Sequence, residues 1–373
     1  MRITIVQGAF LPVPPVEGGA VERVWFALGK AFARAGHEVV HVSKADARFP
    51  DEERIEGVLH RRVPGFRSPR SLALLKLLDL LYSLRVVGRL PEADLLVTNT
   101  FWLPILVRCR RKGALYVHVG RYPKGQLRWY RHAARWQTVS GAIGEAVAAQ
   151  EPRNTDKIAV LPYPLDEASF PEPGAPAPER EKVVLYVGRI HPEKGLGLLL
   201  DAWRRAALDR EGWRLKVVGP WRTDQGGGGE DYLHLLREKG IEGVEWAGPV
   251  FDRAALAAAY RQASLFVYPS LAERGETFGL APLEAMAQGC PALVSGLGCF
   301  GDFVEEGVTG WRFDHRAADP AGTFAAALRR IAEDGAEREA VARRAAAKAE
   351  EFRLDRIAAR YLADFEAVLK ERA

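Results

Sequence analysis

At 373 residues the chain is long enough for two domains with a core each, and 48% hydrophobic with 27% charged residues is ordinary globular composition. No apolar run reaches the length of a membrane span, and three scattered cysteines (Cys109, Cys290, Cys299) give neither a disulfide framework nor metal-ligand spacing. The net charge of +5 is unevenly shared: residues 1–165 carry 25 Lys/Arg against 14 Asp/Glu, net +11, and the remainder 28 against 34, net −6. A basic half beside a mildly acidic one points to an anionic partner for the first half. The opening Met1-Arg-Ile-Thr-Ile-Val-Gln runs straight into a strand without signal-peptide character, so a cytoplasmic protein is expected.

In chain order, residues 3–6 read as a strand, 20–35 as a helix closed by Gly36, and 39–42 as a second strand. Residues 71–85 are leucine-rich with a narrow polar stripe of Lys76, Asp79 and Ser83, flanked by Arg67, Arg70, Arg85 and Arg89. Two readings of that helix stand: a buried helix of the first domain, or a partly exposed one that docks on an anionic membrane surface. Residues 95–98 and 115–119 are later strands of the same sheet. Around 165–182 four prolines and little apolar content mark a linker. A second alternation follows, with strands at 183–187, 215–218, 244–246 and 265–268 and a helix at 196–206. Gly226 to Gly229 read as a floppy surface turn, because four glycines cannot form a rigid cradle unaided. Such alternation predicts an α/β fold of two Rossmann-like, doubly wound domains, at 1–164 and 183–352, facing a cleft at the carboxyl ends of both sheets.

Two constellations carry most of the chemistry. In Glu276-Thr-Phe-Gly-Leu-Ala-Pro-Leu-Glu284 two carboxylates flank a Phe-Gly turn, and Pro282 and Gly289 bound a short helix over 283–288. Free N–H groups around Gly279, Leu280 and Ala281 make an anion site at the helix start, with a carboxylate on either side for polyhydroxylated groups. A loop acid plus a capping acid is the plainer alternative. In Val187-Gly188-Arg189-Ile-His-Pro-Glu-Lys194-Gly195 two cations stand beside a helix start, an arrangement suited to a diphosphate, though solvated surface cations have the same spelling. Gly18 and Gly19 follow the first strand and let backbone N–H groups approach a ligand; that loop lacks the dinucleotide spacing G-x-G-x-x-G, which argues against a nicotinamide or flavin domain. His118 ends a strand-like run at the carboxyl edge of the sheet, where a satisfied structural histidine is the alternative.

Taken together, Pro269 through Pro291 and the Gly188-Arg189…Lys194-Gly195 pair resemble the donor signature of the GT-B glycosyltransferases, specifically family 4 (glycosyl transferases group 1), which uses nucleotide sugars and retains configuration. Pro220 and Val250 fall where that family holds the base, and Tyr163-Pro164 replaces the Asn-Gly usual at its hinge. The resemblance implies a last helix, 355–370, that crosses back to the first domain, so that 353–373 joins 1–164. It implies Arg189 and Lys194 on the leaving diphosphate, Glu284 on the ribose, and Glu276 and His118 on the sugar, with Gly18, Gly19, Gly188, Pro220, Val250, Phe278, Gly279 and Leu280 lining the donor site. Glu22, Trp102, Arg121 and Trp129 are the acceptor-side candidates, for a carbohydrate or lipid-linked acceptor. No D-x-D occurs, in keeping with a metal-free reaction with no cofactor and with UDP- or GDP-sugar as donor substrate. Rival readings are another GT-B enzyme, such as a nucleotide-sugar epimerase or a phosphorylase, and a non-catalytic nucleic-acid-binding protein. No nucleic-acid module is recognisable, so no nucleic-acid partner is expected.

Overall fold

Short Val/Ile/Leu runs, buried on both faces, become parallel strands in two separate sheets. The computed structural model describes residues 1–69, 71–172, 174 and 179–372. It divides into one unit of Met1–Pro164 with Leu354–Ala373, and a second of Leu165–Arg353.

The first unit holds β1 (Arg2–Val6), β2 (Glu38–Lys44), β3 (Glu52–Ile55), β4 (Val58–Val63), β5 (Leu95–Thr98), β6 (Ala114–Val119), β7 (Arg135–Thr138) and β8 (Ile158–Val160). Their order is β3-β4-β2-β1-β5-β6-β7-β8, parallel throughout except for the β3–β4 hairpin. That hairpin turns through Glu56 and Gly57, both left-handed at φ 46° and 87°, the tight turn that two-residue hairpins favour. Around the sheet lie α1 (Ala20–Arg34), α2 (Leu72–Val87), the short α3 (Leu103–Leu106) and α4 (Gly141–Gln150).

The second sheet is fully parallel: β9 (Glu181–Val187), β10 (Arg214–Val218), β11 (Val244–Gly248), β12 (Ala263–Tyr268), β13 (Ala292–Ser295) and β14 (Trp311–Phe313), ordered β11-β10-β9-β12-β13-β14. Its helices are α5 (Leu196–Ala206), α6 (Glu230–Arg237), α7 (Arg253–Gln262), α8 (Leu280–Ala287), α9 (Pro320–Glu333) and α10 (Gly335–Ala349). The proline-rich stretch starts inside this unit: Leu165 N–H donates to Phe352 O at 2.7 Å and Arg353 lies over the Phe170 ring. Pro173 and residues 175–178 lie outside the described residues.

The last helix, α11 (Leu354–Lys370), packs in the first unit, as the resemblance implies. Its stripe of Ile357, Tyr361, Phe365 and Val368 is buried, with Phe365 set edge-on to Phe32 at 5.5 Å. Asp364 fixes its rotation, accepting the Tyr116 hydroxyl at 2.7 Å and pairing with Arg135 at 3.1 Å.

One expectation is corrected, and of the two readings of α2 the buried one is excluded. The run from Gly226 to Gly229 is tied down, because Gly227 N–H donates to Arg222 O, Gly228 N–H to Ile190 O and Gly229 N–H to Trp221 O. A Cβ on Gly227 would stand 2.2 Å from the Trp221 backbone, so here the missing side chain permits close packing and not freedom. The α2 helix does not bury its leucines. Its buried residues are Asp79, Tyr82, Ser83 and Val86. Asp79 accepts the backbone N–H groups of Phe101 and Trp102 at 3.1 and 3.2 Å, so Asp79 and Ser83 of the polar stripe turn inward while Lys76 stays exposed. Arg70 lies outside the described residues.

Candidate functional site

In the second unit the strand order reverses direction between β9 and β12, the topological switch point at which parallel sheets open a crevice. β9 ends at Val187 and delivers Gly188 and Arg189; β12 ends at Tyr268. Lys194 closes a 3-10 turn before α5 and is buried. Its ammonium donates to Glu276 Oε2 at 2.6 Å and lies 5.3 Å from the centre of the Tyr268 ring. The Tyr268 hydroxyl is hydrogen-bonded to Glu276, and burial, followed by the Glu276 charge, holds it well above its ordinary pKa. Arg189 donates to Gly226 O at 2.6 Å and to Glu193 Oε1 at 2.7 Å. The two cations of the motif therefore each have a carboxylate partner in the same crevice.

The helix after Glu276 starts at Leu280, three residues earlier than the sequence reading placed it. Gly279 is its N-cap at φ 91°, and a Cβ there would stand 2.5 Å from the Phe300 ring. Pro282 is the third helical residue, so Glu284 sits on the second turn, where the Tyr260 hydroxyl donates to it at 3.3 Å. The first-turn amides of Leu280 and Ala281 remain the positive end of the helix. The Phe278 side chain is buried against Phe303 and Phe352 and anchors the loop. Beside this, Ile190 N–H donates to Pro220 O and Gly219 N–H to Gly248 O, which gathers the ends of β9, β10 and β11, with Val250 two residues beyond. Gly219 lies so close that a Cβ would stand 1.8 Å from Gly188 O.

In the first unit His118, near the end of β6, is buried, and its ring meets Trp25 edge-on at 5.5 Å. Gln137 donates both amide hydrogens, to Thr138 O and Leu161 O, which turns its Oε1 toward His118 Nδ1 at 2.5 Å. That carbonyl only accepts, so Nδ1 carries the proton and Nε2 keeps its lone pair, facing the Tyr163 hydroxyl at 3.2 Å. Burial lowers the His118 pKa to about 4, so the ring is neutral at physiological pH. Gly18 and Gly19 lead into α1, both at positive φ, and Gly19 is its N-cap. Glu22 lies nearly buried in the first turn, its carboxylate folded back toward its own backbone N–H and its pKa raised by burial. The charge of Arg121 reaches Glu22, whereas Trp102 and Trp129 gather elsewhere: Trp102 Nε1 donates to Lys76 O at 2.7 Å, and both rings flank Phe101.

Sequence reasoning missed Tyr268 beneath Lys194, Glu193 on Arg189, Tyr260 on Glu284, and Gln137 with Tyr163 around His118. Only Tyr163 carried a signal, as the departure from the usual Asn-Gly. A run with the dinucleotide spacing, Gly296-Leu-Gly298-Cys-Phe-Gly301, also went unread; it follows β13 but opens a 3-10 turn, without the long helix start such a site needs.

The family model for glycosyl transferases group 1 matches residues 172–348, and that for glycosyltransferase family 4 matches residues 18–169. The chain belongs to this family of glycosyltransferases. Its structure matches sucrose-phosphate synthase from Thermosynechococcus elongatus with a TM-score of 0.80 at 21% identity, all of both chains being covered. HepE from Anabaena, solved in complex with UDP, matches with a TM-score of 0.73 at 21% identity over 98% of this chain and 100% of that one. These likenesses show the GT-B fold. A D-inositol 3-phosphate glycosyltransferase from Kineococcus radiotolerans is 32% identical over 222 residues, which is 52% of this chain and 48% of the relative. This group 1 chain thus spans about half the length of the curated relative it matches. Among its described residues no helix is long and apolar enough to cross a membrane.

Proposed function

We propose that the chain transfers a sugar from a nucleoside diphosphate sugar to a hydroxyl acceptor, with retention at the anomeric carbon and without a metal ion. The observation that carries this is the Lys194–Glu276 pair at the β9/β12 switch point, beside Arg189 and the start of α8. As the bond from the anomeric carbon to the diphosphate oxygen breaks, negative charge builds on the diphosphate. Lys194, Arg189 and the Leu280 and Ala281 amides are the donors for that charge. Glu276 then turns to sugar hydroxyls, Glu284 to the ribose, and Pro220 and Val250 to the base. The acceptor oxygen forms the new bond on the face the diphosphate leaves, and its proton passes to the departing phosphate oxygen. His118, with Nδ1 protonated and Nε2 accepting, is suited to a sugar hydroxyl and not to carrying charge. UDP in a structural neighbour and inositol 3-phosphate in the name of a relative support a uridine diphosphate donor and a polyhydroxylated acceptor.

A thermal-shift panel of UDP- and GDP-sugars tests the donor, since a ligand at about 100 times its Kd adds roughly 2.7 kcal/mol. NMR of the product from the stabilising donor then reads the anomeric configuration, with and without EDTA. Inverted product, or activity lost to EDTA and restored by manganese, overturns the respective half of the proposal.

A further inference from the structure

The outward face of α2 is the least expected surface of the molecule. Leu72, Leu74, Leu77, Leu81 and Leu84 are 73%, 45%, 51%, 41% and 52% exposed. Leu74, Leu77, Leu81 and Leu84 repeat at three and four, so with Ala73 they form one apolar arc, with no charged residue at its centre. Nothing in the helix requires this, since Asp79 and Tyr82 already fasten the opposite face. A contiguous apolar surface on a soluble domain marks an interaction site.

What borders the arc tells which partner. Lys76 lies over the Phe101 ring at 4.8 Å, and Phe101 in turn touches Trp102 and the exposed Trp129, which carries Arg128 on its own face. At the other end Arg85 donates to Pro64 O at 2.7 Å and lies over Phe66, and Arg89 donates to Arg62 O. Among the described residues these exposed cations are held by carbonyls and ring faces, not by carboxylates, so their charge is not cancelled. The unit as a whole is net +11, because residues 354–373 add four charges of each sign to the excess of residues 1–165. Leucines in the middle, tryptophans at one border and free positive charges around them match the layering of a lipid interface: acyl chains, carbonyl region, anionic headgroups. A second copy of the chain fits worse, since pairing the face with itself would bring like charges together.

We propose that α2, with the Trp102–Trp129 cluster, docks this chain on an anionic membrane, the helix lying in the plane of the interface. Co-sedimentation of the full chain with phosphatidylglycerol/phosphatidylcholine vesicles and with phosphatidylcholine vesicles alone tests this. Binding is expected to the anionic vesicles only and to fade as salt is raised. Leu77→Gln and Leu81→Gln should each weaken it about tenfold, and Lys76→Glu and Arg85→Glu at least about fivefold each. The leucines are exposed, so unchanged melting temperatures should accompany the loss. No binding to anionic vesicles at low salt overturns the proposal, as does equal binding by the leucine variants. A dimer in solution that Leu77→Gln with Leu81→Gln converts to monomer would assign the face to a second copy instead.

Discussion

Lys194 and Glu276, 82 residues apart, form a buried ion pair at 2.6 Å where a diphosphate leaving group is proposed to sit. Without donor each is the other's partner; with donor the ammonium has a second anion to serve. Breaking one side of such a pair leaves a desolvated charge, which costs about 3–5 kcal/mol. Lys194→Ala is therefore expected to lower both thermal stability and turnover, the latter on the order of 10²-fold. Arg189 is half-exposed and held by Glu193, so Arg189→Ala should cost a similar factor in turnover with little change in stability. Comparing kcat with Tm for the two variants checks this; an Arg189 variant as unstable as the Lys194 variant would count against it.

Glu276→Ala should release Lys194 toward the diphosphate. UDP or GDP should bind it as tightly as the parent or more so, while turnover collapses because the sugar hydroxyls lose their acceptor. Glu284→Ala should weaken free nucleotide and nucleotide sugar alike, since the ribose belongs to both. Calorimetric titration of both variants with the free nucleotide decides; equal losses of affinity reject the division of labour.

The Tyr163 hydroxyl faces His118 Nε2 at 3.2 Å, and Gln137 fixes the proton on Nδ1. Tyr163→Phe should leave the fold intact and the Nδ1–H tautomer in place, yet shift the Nε2 resonance in a ¹⁵N spectrum. Gln137→Glu should instead raise the His118 pKa from about 4, by placing a carboxylate on Nδ1. An unmoved His118 titration in Gln137→Glu would mean that the contact does not govern the ring.

The parts of the fold legible in sequence were those whose signal is local. Residues 196–206 read as a helix and are one, and the β9 and β12 runs announce themselves by unbroken apolar character. The β3–β4 hairpin was missed because Glu52-Glu-Arg-Ile55 is polar and sits at the sheet edge, where pairing demands little burial. α8 began earlier than expected because Gly279 caps it, a role visible only once Phe300 is seen to fill the space of a side chain. The cation and carboxylate of the site were readable as motifs, but their pairing depends on where β9 and β12 lie side by side. α2 stayed open between burial and exposure because a helix of leucines fits either, and only Asp79 reaching back to Phe101 and Trp102 reveals which face turns inward.

Phe365 carries much of the attachment of α11 to the first unit, packed on Phe32 and Tyr116 with no exposure. Phe365→Ala is expected to cost about 3–5 kcal/mol, as truncation of a buried aromatic does. Removing residues 353–373 should do more, because Asp364, the partner of Tyr116 and Arg135, leaves with it. An unchanged melting temperature in either variant would contradict the packing described.

Acid should loosen the first unit as its buried histidines are forced to take up protons. His41 and His60 stack at 5.3 Å beneath the sheet, and both rings are buried. Burial, followed by the neighbouring His60 and Arg62 charges, holds His41 well below its ordinary value; burial and then Arg62 bring His60 to about 4, and burial brings His118 to about 4. Each folded pKa is depressed below 6.5, so between pH 6.5 and about 4 the unfolded chain binds more protons than the folded one. Stability is therefore complete above pH 6.5 and falls as pH drops through that window, by roughly 1.4 kcal/mol per pH unit for each histidine involved. Melting temperatures from pH 7.5 down to 4.5 should show the fall, and His60→Gln should flatten it, since the substituted side chain binds no proton. A variant with the same pH slope as the parent would show that the fall comes from other groups.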